Sequence, residues 1–401
     1  MGNGVSREAR PDPNAEISLA HFNLLRAVGR GSFGKVRIVE RRDSKRLYAL
    51  KYISKVECVQ MDALKNVLRE RLLLEAIDHP LLVNLRFAFQ DDDNMYMCLD
   101  LMLGGDLRFH ITRRRFVEGI VRFWIAEVVC ALRYLHNHGI VHRDIKPDNL
   151  LLDERGHVHI TDFNIATKLS PGCLLQSHSG TYSYMAPEML LNTGYDTSVD
   201  YWSLGVVFYE CIYGMRPFRY DDAKQMRHAI RYQEIRYPVD GQVTVSSDCL
   251  SAMQSFLQRD VRKRLGCNNG NSSDGFRSIQ QHPYFRSFDW TRLEHKQLDP
   301  PFVPDSDRSN FDITYDLEEL LLEQNPLDAR PKRKTNLAKM GKTKEMELIE
   351  RKFKLFDYLQ YERYQAKIIA QYSSPVLFPL TPTTHSRGLL LRLLRLAQIS
   401  G

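Results

Sequence analysis

Two hydrophobic rhythms divide this chain. From Phe22 to Leu103, "FNLLRAVGRGSFGKVRIVE" and "RLYALKYIS" carry the β-branched and aromatic runs of strands, while "MDALKNVLRERLLLEAI" sets its apolar residues at helical spacing. A small sheet with one helix packed on it is the expected product. From Asp106 to Phe288 the spacing is mostly helical, as in "FWIAEVVCALRYLHNHG" and "VDYWSLGVVFYECIYG", with one short strand hairpin between 150 and 161. That predicts a second, larger, helical lobe. The segments are thus an N-lobe over 22–103 and a C-lobe over 104–288, an α+β, bilobal arrangement.

The flanks lack this rhythm. Residues 1–21 are polar, contain proline and read as a flexible arm. After Trp290 the proline-punctuated "LDPPFVPD" leads into an acidic segment, the basic "ARPKRKTNLAKMGKTK" and a final "GLLLRLLRLAQISG". Residues 289–365 are expected to form a tail, and 366–401 to be disordered. No internal repeat is visible.

Composition narrows the function only a little. With 401 residues, 43% of them hydrophobic, the chain can bury the cores of two or three folded units. No apolar run approaches a membrane span, and the first thirty residues lack a secretory core, so cytoplasmic or nuclear residence is expected. The seven cysteines, at 58, 98, 130, 173, 211, 249 and 267, include no C-x-x-C pair, which argues against a zinc site or a disulfide framework. A net charge of +7 raises the question of nucleic acid, but a large share of the basic residues follows residue 330. That stretch reads as a solvated tail, and no nucleic-acid partner is expected.

The opening "MGNGVS" matches the acylation pattern M-G-x-x-x-[ST] at Gly2. A single myristoyl chain holds a membrane weakly, so the basic run 332–344 or the Leu/Arg segment 389–396 would have to add to it. Peripheral membrane association of a monomer is the expectation.

The chemistry begins with "VGRGSFGKV", Val28 to Val36. Glycines at 29, 31 and 34 between strand patterns would let backbone approach phosphate oxygens, a weak signal when alone. On the next strand, Ala49 and Lys51 alternate onto one face. A buried lysine needs a partner, and Glu70 lies nineteen residues on in the amphipathic helix. "HRDIKPDN" then offers Asp144 to accept a hydroxyl proton, Lys146 to neutralise a moving phosphoryl group, and Asn149 as an oxygen ligand for a metal. Asp162, across the hairpin in "HITDFNIATK", supplies a second, harder ligand; this donor set suits Mg²⁺, or Mn²⁺ in its place.

The ordered set G-x-G-x-x-G-x-V, A-x-K, a helical Glu, H-R-D-x-K-x-x-N, D-F-x and A-P-E resembles the eukaryotic protein kinases over residues 22–288. The resemblance implies the bilobal protein kinase fold and transfer of the ATP γ-phosphoryl group to protein substrates. It further implies that Val28, Gly29, Arg30, Gly31, Ser32, Phe33, Gly34, Lys35 and Val36 cover the nucleotide. Leu99 would be the gatekeeper, Asp100 to Leu103 the hinge including Met102, and Asp106 the partner of the ribose. Val36, Ala49 and Leu151 would sandwich the base. Leu74, Leu85, His142 and Phe163 match the apolar spine, anchored by Asp200. Lys146 two positions after Asp144, and Thr181 after Gly180, fit the serine/threonine class, with the Thr181 hydroxyl reaching Asp144 and Lys146.

"LGGDLR", the D-F-N triplet and "FDITYDLEELLLEQNPLDARPKRK" resemble the YANK kinases, within or beside the AGC class. By the same resemblance, "FKLFDY" at 353–358 would be a hydrophobic motif that docks beside the Glu70 helix, with Asp357 in place of a phosphate; an ordinary apolar tail helix reads equally well. The loop "LLQSHSGTYSYMAPE" departs from the YANK pattern. So does Asn164 from the kinase family's glycine; Asn tolerates positive φ, so the turn is expected to survive. Two functions stay open: a competent serine/threonine kinase, or a nucleotide-binding scaffold that has lost its chemistry.

Overall fold

The computed structural model describes residues 16–30, 34–170, 172–191, 193–238, 245–267, 272–305, 327 and 343–360. The chain divides into two compact units, 1–355 and 356–401. The second is described only at 356–360, where Phe356–Asp357 is a short strand.

In the first unit, strands β1 (Phe22–Arg30), β2 (Lys35–Arg41) and β3 (Leu47–Ser54) are followed by helices α1 (Lys55–Gln60) and α2 (Leu64–Ala76), then by β4 (Leu85–Gln90) and β5 (Asn94–Asp100). The strands pair antiparallel in the order β1-β2-β3-β5-β4. Register puts Val36 opposite Lys51 and Ala49 opposite Leu99. Directly opposed residues share a face, so these four side chains line one side of the sheet. On α2, Val67, Glu70, Arg71 and Leu74 are all buried. Burial of a Glu and an Arg on that stripe is what lets one helix serve both the cleft and the tail.

Ile17, Leu19 and His21 are also buried, and Leu19–His21 form a short 3-10 turn. The described residues thus begin at 16, within the 1–21 segment, and Ile17 and Leu19 are buried there although they form no periodic run.

The larger lobe contains α3 (Leu107–Arg113), α4 (Glu118–Asn137), β6 (Ile140–Val141), the hairpin β7 (Leu150–Leu152) and β8 (Val158–Ile160), and β9 (Thr167–Lys168). Helices α5 (Ser198–Tyr213), α6 (Ala223–Tyr232), α7 (Ser247–Phe256), α8 (Ser272–Gln281), α9 (Trp290–Glu294) and α10 (Lys344–Lys352) complete it in chain order, although α10 packs on α1 and α2 of the small lobe. All 16 residues of α5 are buried, which makes it the central post. It ends at Gly214, whose φ of 65° is the left-handed cap that glycine adopts freely.

Charged groups in this core are paired. Glu127 on α4 accepts from the His157 ring at 2.6 Å and from the Val158 amide at 2.8 Å, fixing the β7–β8 hairpin to the helix. Burial pushes Glu127 up to about 7, against the opposing pull of His157. Arg264, fully buried, holds Glu188 of the A-P-E segment at 2.6 and 2.9 Å. Among the described residues no helix is long and apolar enough to cross a membrane, and Gly2, 332–342 and 389–396 lie outside the described residues.

Candidate active site

Asp200 on α5 organises the catalytic loop from below. Its carboxylate accepts the backbone amides of His142 at 3.0 Å and Arg143 at 2.8 Å, as well as the His136 ring at 2.8 Å. With those amides bound, Arg143 holds a positive φ of 69°, and the chain turns to present Asp144. Lys146 donates to Asp144 Oδ2 at 2.7 Å and to Thr181 Oγ1 at 3.0 Å. The Thr181 hydroxyl and amide donate to Asp144 Oδ1 at 2.9 and 3.1 Å. Burial opposes the Asp144 charge, but Lys146, and then the Thr181 hydroxyl, outweigh it and hold the carboxyl below its usual range. Asn149 donates through Nδ2 to Asp144 at 2.8 and 3.0 Å, which commits its nitrogen and leaves its amide oxygen as the atom that could hold a metal.

Lys51 reaches Glu70 at 2.6 Å, with both side chains buried. Burial works against both charges. For Lys51, Glu70 and then Asp162 overcome it and raise its affinity for the proton; for Glu70, burial prevails and pushes its carboxyl upward. Lys51 also donates to Asn164 Oδ1 at 3.3 Å, across 113 residues of chain. Asn164 is buried and is absent from the positive-φ positions; that conformation falls on Asp162, at 65°. The expected backbone role of Asn164 is therefore corrected: its contribution is a side-chain acceptor, and the strained turn sits two residues earlier.

Between these groups lies a cavity of about 460 Å³. Its walls include Val28, Gly29, Val36, Ala49, Lys51, Glu70, Leu99, Asp100, Met102, Asp106, Lys146, Asn149, Leu151 and Asp162. Gly34 and Lys35 are not on these walls, and Gly34 is required for a different reason. A Cβ there would lie 2.7 Å from the Tyr52 carbonyl oxygen, whereas one at Gly29 would meet open space. Gly31, Ser32, Phe33 and the Arg30 side chain lie outside the described residues. The Asp100 carboxylate is held by Arg86 at 2.6 and 2.8 Å, so it is not free for a ligand. Asp106 caps α3 by accepting from the Phe109 amide at 2.7 Å, and burial raises its carboxyl.

Leu74, Leu85, His142 and Phe163 are buried, and the His142 and Phe163 rings meet edge to face at 5.2 Å. Leu101 of the expected hinge lines the cavity too, and Val83, Asp148, Thr161 and Asn164 line it without having been singled out as ligand-binding. Thr161 and Asn164 could have been suspected as neighbours of Asp162; Val83 carries no signal beyond being apolar. In the tail, Phe353 is fully buried with the Arg71 guanidinium 5.4 Å over its ring. Arg71 also donates to the Lys354 carbonyl at 2.7 Å, and Gln90 to that of Phe353 at 2.7 Å. The first aromatic of the 353–358 segment thus sits against α2, on the helix that carries Glu70.

The all-oxygen pair of Asn149 and Asp162 fits a hard divalent cation, and apolar walls above and below fit a planar base. The protein kinase domain family matches residues 22–285. Human serine/threonine-protein kinase 32B is 42% identical over 328 residues, covering 80% of this chain and 77% of its own. Human serine/threonine-protein kinase 32C is 40% identical over 343 residues, with 83% and 69% covered. The RAC family serine/threonine-protein kinase homolog of Dictyostelium discoideum is 38% identical over 313 residues, with 76% and 68% covered. A protein kinase domain works with ATP and a divalent metal on protein substrates. The chain belongs to the protein kinase family and is a serine/threonine protein kinase related to the AGC class.

Proposed function

We propose that this kinase is catalytically competent and that its residues divide the work as follows. Asp144 accepts the proton of a Ser or Thr hydroxyl as that oxygen bonds to the γ-phosphorus of ATP; the bond to the bridging oxygen breaks and ADP leaves. Lys146 holds Asp144 in place and offers its charge to the phosphoryl oxygens. Lys51, steadied by Glu70 and Asn164, binds the α- and β-phosphates. Asn149 and Asp162 would hold Mg²⁺, which supplies charge neutralisation when bound.

The observation that carries this reading is the Asp144, Lys146 and Thr181 cluster, in which base, cation and hydroxyl lie within 3.0 Å of one another. A scaffold without chemistry has no need of an ionised base so placed. Transfer of radiolabelled phosphate to a generic protein substrate, lost in Asp144→Asn, is the expected result. Equal background from both proteins would favour the scaffold.

Peripheral membrane association through acylation of Gly2, by a monomeric protein otherwise cytoplasmic or nuclear, is part of the same proposal. It is supported by the M-G-x-x-x-S pattern and the basic run near 332–344. Gly2→Ala should shift the protein from membrane to soluble fractions, and an unchanged partition would dismiss it.

A further inference from the structure

Arg108 takes no part in the chemistry above, yet it stands beside it. It lies in the first turn of α3, with 30% of its side chain exposed. Its Nη1 donates to Glu210 at 2.6 Å, and its Nη2 to the Tyr184 hydroxyl at 2.5 Å and to Asp148 at 3.2 Å. The Tyr184 hydroxyl in turn donates to the other Glu210 oxygen at 2.5 Å. Asp148 belongs to the turn Pro147–Asn149, directly after Lys146, and lines the cavity. Tyr184 closes the turn Tyr182–Tyr184 that follows Thr181. Arg108 therefore touches one residue from each of the two turns that flank the phosphoacceptor point.

Without Arg108, two carboxylates would converge beside an incoming peptide. Glu210 is nearly buried and Asp148 is 46% exposed, so together they would make a deep acidic socket suited to an Arg or Lys of the substrate. With Arg108 in place the socket is already filled. A peptide cation would have to displace a guanidinium that is tethered in the same chain and bonded at several points. Burial opposes the Arg108 charge, but the Glu210 bond and the facing Tyr184 and Asp148 overcome it, so the plug stays charged.

We propose that Arg108 is a specificity-determining residue: it neutralises Glu210 and Asp148 beside the acceptor, so that this kinase does not select basic residues there and takes Ser or Thr in neutral to acidic sequence. This deepens the reading of the chain as a competent kinase and rests on it.

The test uses the full chain and a peptide series carrying a single Arg, or a single Glu, at each position around the acceptor. Phosphorylation is measured with Ser as acceptor, and binding with Ala in its place. For the wild type, moving the Arg should change kcat/KM by less than about threefold. Arg108→Met should gain roughly tenfold for Arg at one or two positions, the worth of one charge-assisted hydrogen bond, through KM and through Kd of the Ala peptides. Glu210→Gln, which frees the guanidinium, should shift preference the other way, toward Glu, and serves if Arg108→Met folds poorly. A wild type that already prefers Arg at one of these positions as strongly as Arg108→Met, or equal Kd values for all three proteins, would overturn the assignment. If the Kd values shift as expected while no protein transfers phosphate, the specificity assignment stands and the kinase reading falls.

Discussion

The nucleotide side and the acceptor side of this site are built in opposite ways. On the acceptor side, Asp144, Lys146 and Asn149 come from one six-residue stretch, bonded to each other and braced by Asp200 of the fully buried α5. On the nucleotide side, Lys51 comes from β3, Glu70 from α2, and Asp162 and Asn164 from the loop after β8, and contacts such as the one spanning 113 residues join them. The first cluster survives as long as the large lobe is folded. The second exists only while α2 and that loop keep their places against the sheet. Control of such a site falls naturally on the nucleotide side, and the tail is placed to exert it, since Phe353 packs beneath Arg71 of the helix that presents Glu70.

Breaking the nucleotide side at its proposed metal ligand has the largest expected effect. Asp162→Ala should lower kcat by roughly a thousandfold or more, because several kcal/mol of charge neutralisation go with the metal. Peptide Kd and Tm should stay near wild type; a comparable loss of peptide binding would mean that the two sides are not separable.

Phe353→Ala should destabilise the first unit by about 3 kcal/mol, the usual cost of emptying an aromatic site. As α2 loosens, KM for ATP should rise several-fold while KM for peptide holds, measured by steady-state kinetics beside thermal melts. A fall in Tm with both KM values unchanged would leave Phe353 as packing alone.

Asn164→Gly removes one acceptor from Lys51 and requires no unusual φ, so the expected effect is smaller. About 1 kcal/mol, or roughly fivefold in KM for ATP, is the scale of one hydrogen bond, with hydrogen exchange of the 162–166 segment rising in parallel. An unchanged KM would show that Glu70 alone positions Lys51.

The large lobe offers the mildest test, through acid. Glu294 on α9 is bonded to His79 at 3.2 Å and to Arg133 in a short ion pair. Burial would raise its carboxyl, but those two partners outweigh burial and bring it down from 4.5 to about 2. A folded-state value below the unfolded one adds stability that is complete above about pH 4.5 and is lost as pH falls toward 2. Glu294→Gln should flatten that part of the acid denaturation curve, followed by circular dichroism, without touching kcat at neutral pH.

Much of the acceptor side was legible before any fold was known, because base, cation and amide sit within reach of one short turn. The nucleotide side was legible as residues and much less as contacts. Lys51 and Glu70 could be paired by their order along the kinase pattern, but nothing local to Asn164 pointed to Lys51, and the turn chemistry expected of Asn belonged to Asp162. Arg108 gave no signal either, being one more cation on a helical surface until Glu210 and Asp148 were brought to it.

The sequence by itself determined the periods of strand and helix, their order, and the loop that carries Asp144, Lys146 and Asn149, since each depends on residues a few positions apart. Only the tertiary structure decided which carboxylates Arg108 neutralises, that Phe353 packs beside Arg71, and that Asn164 accepts from Lys51. These contacts join residues tens to hundreds of positions apart. They form only after loop closure has been offset by burial of the whole core, which no local pattern encodes.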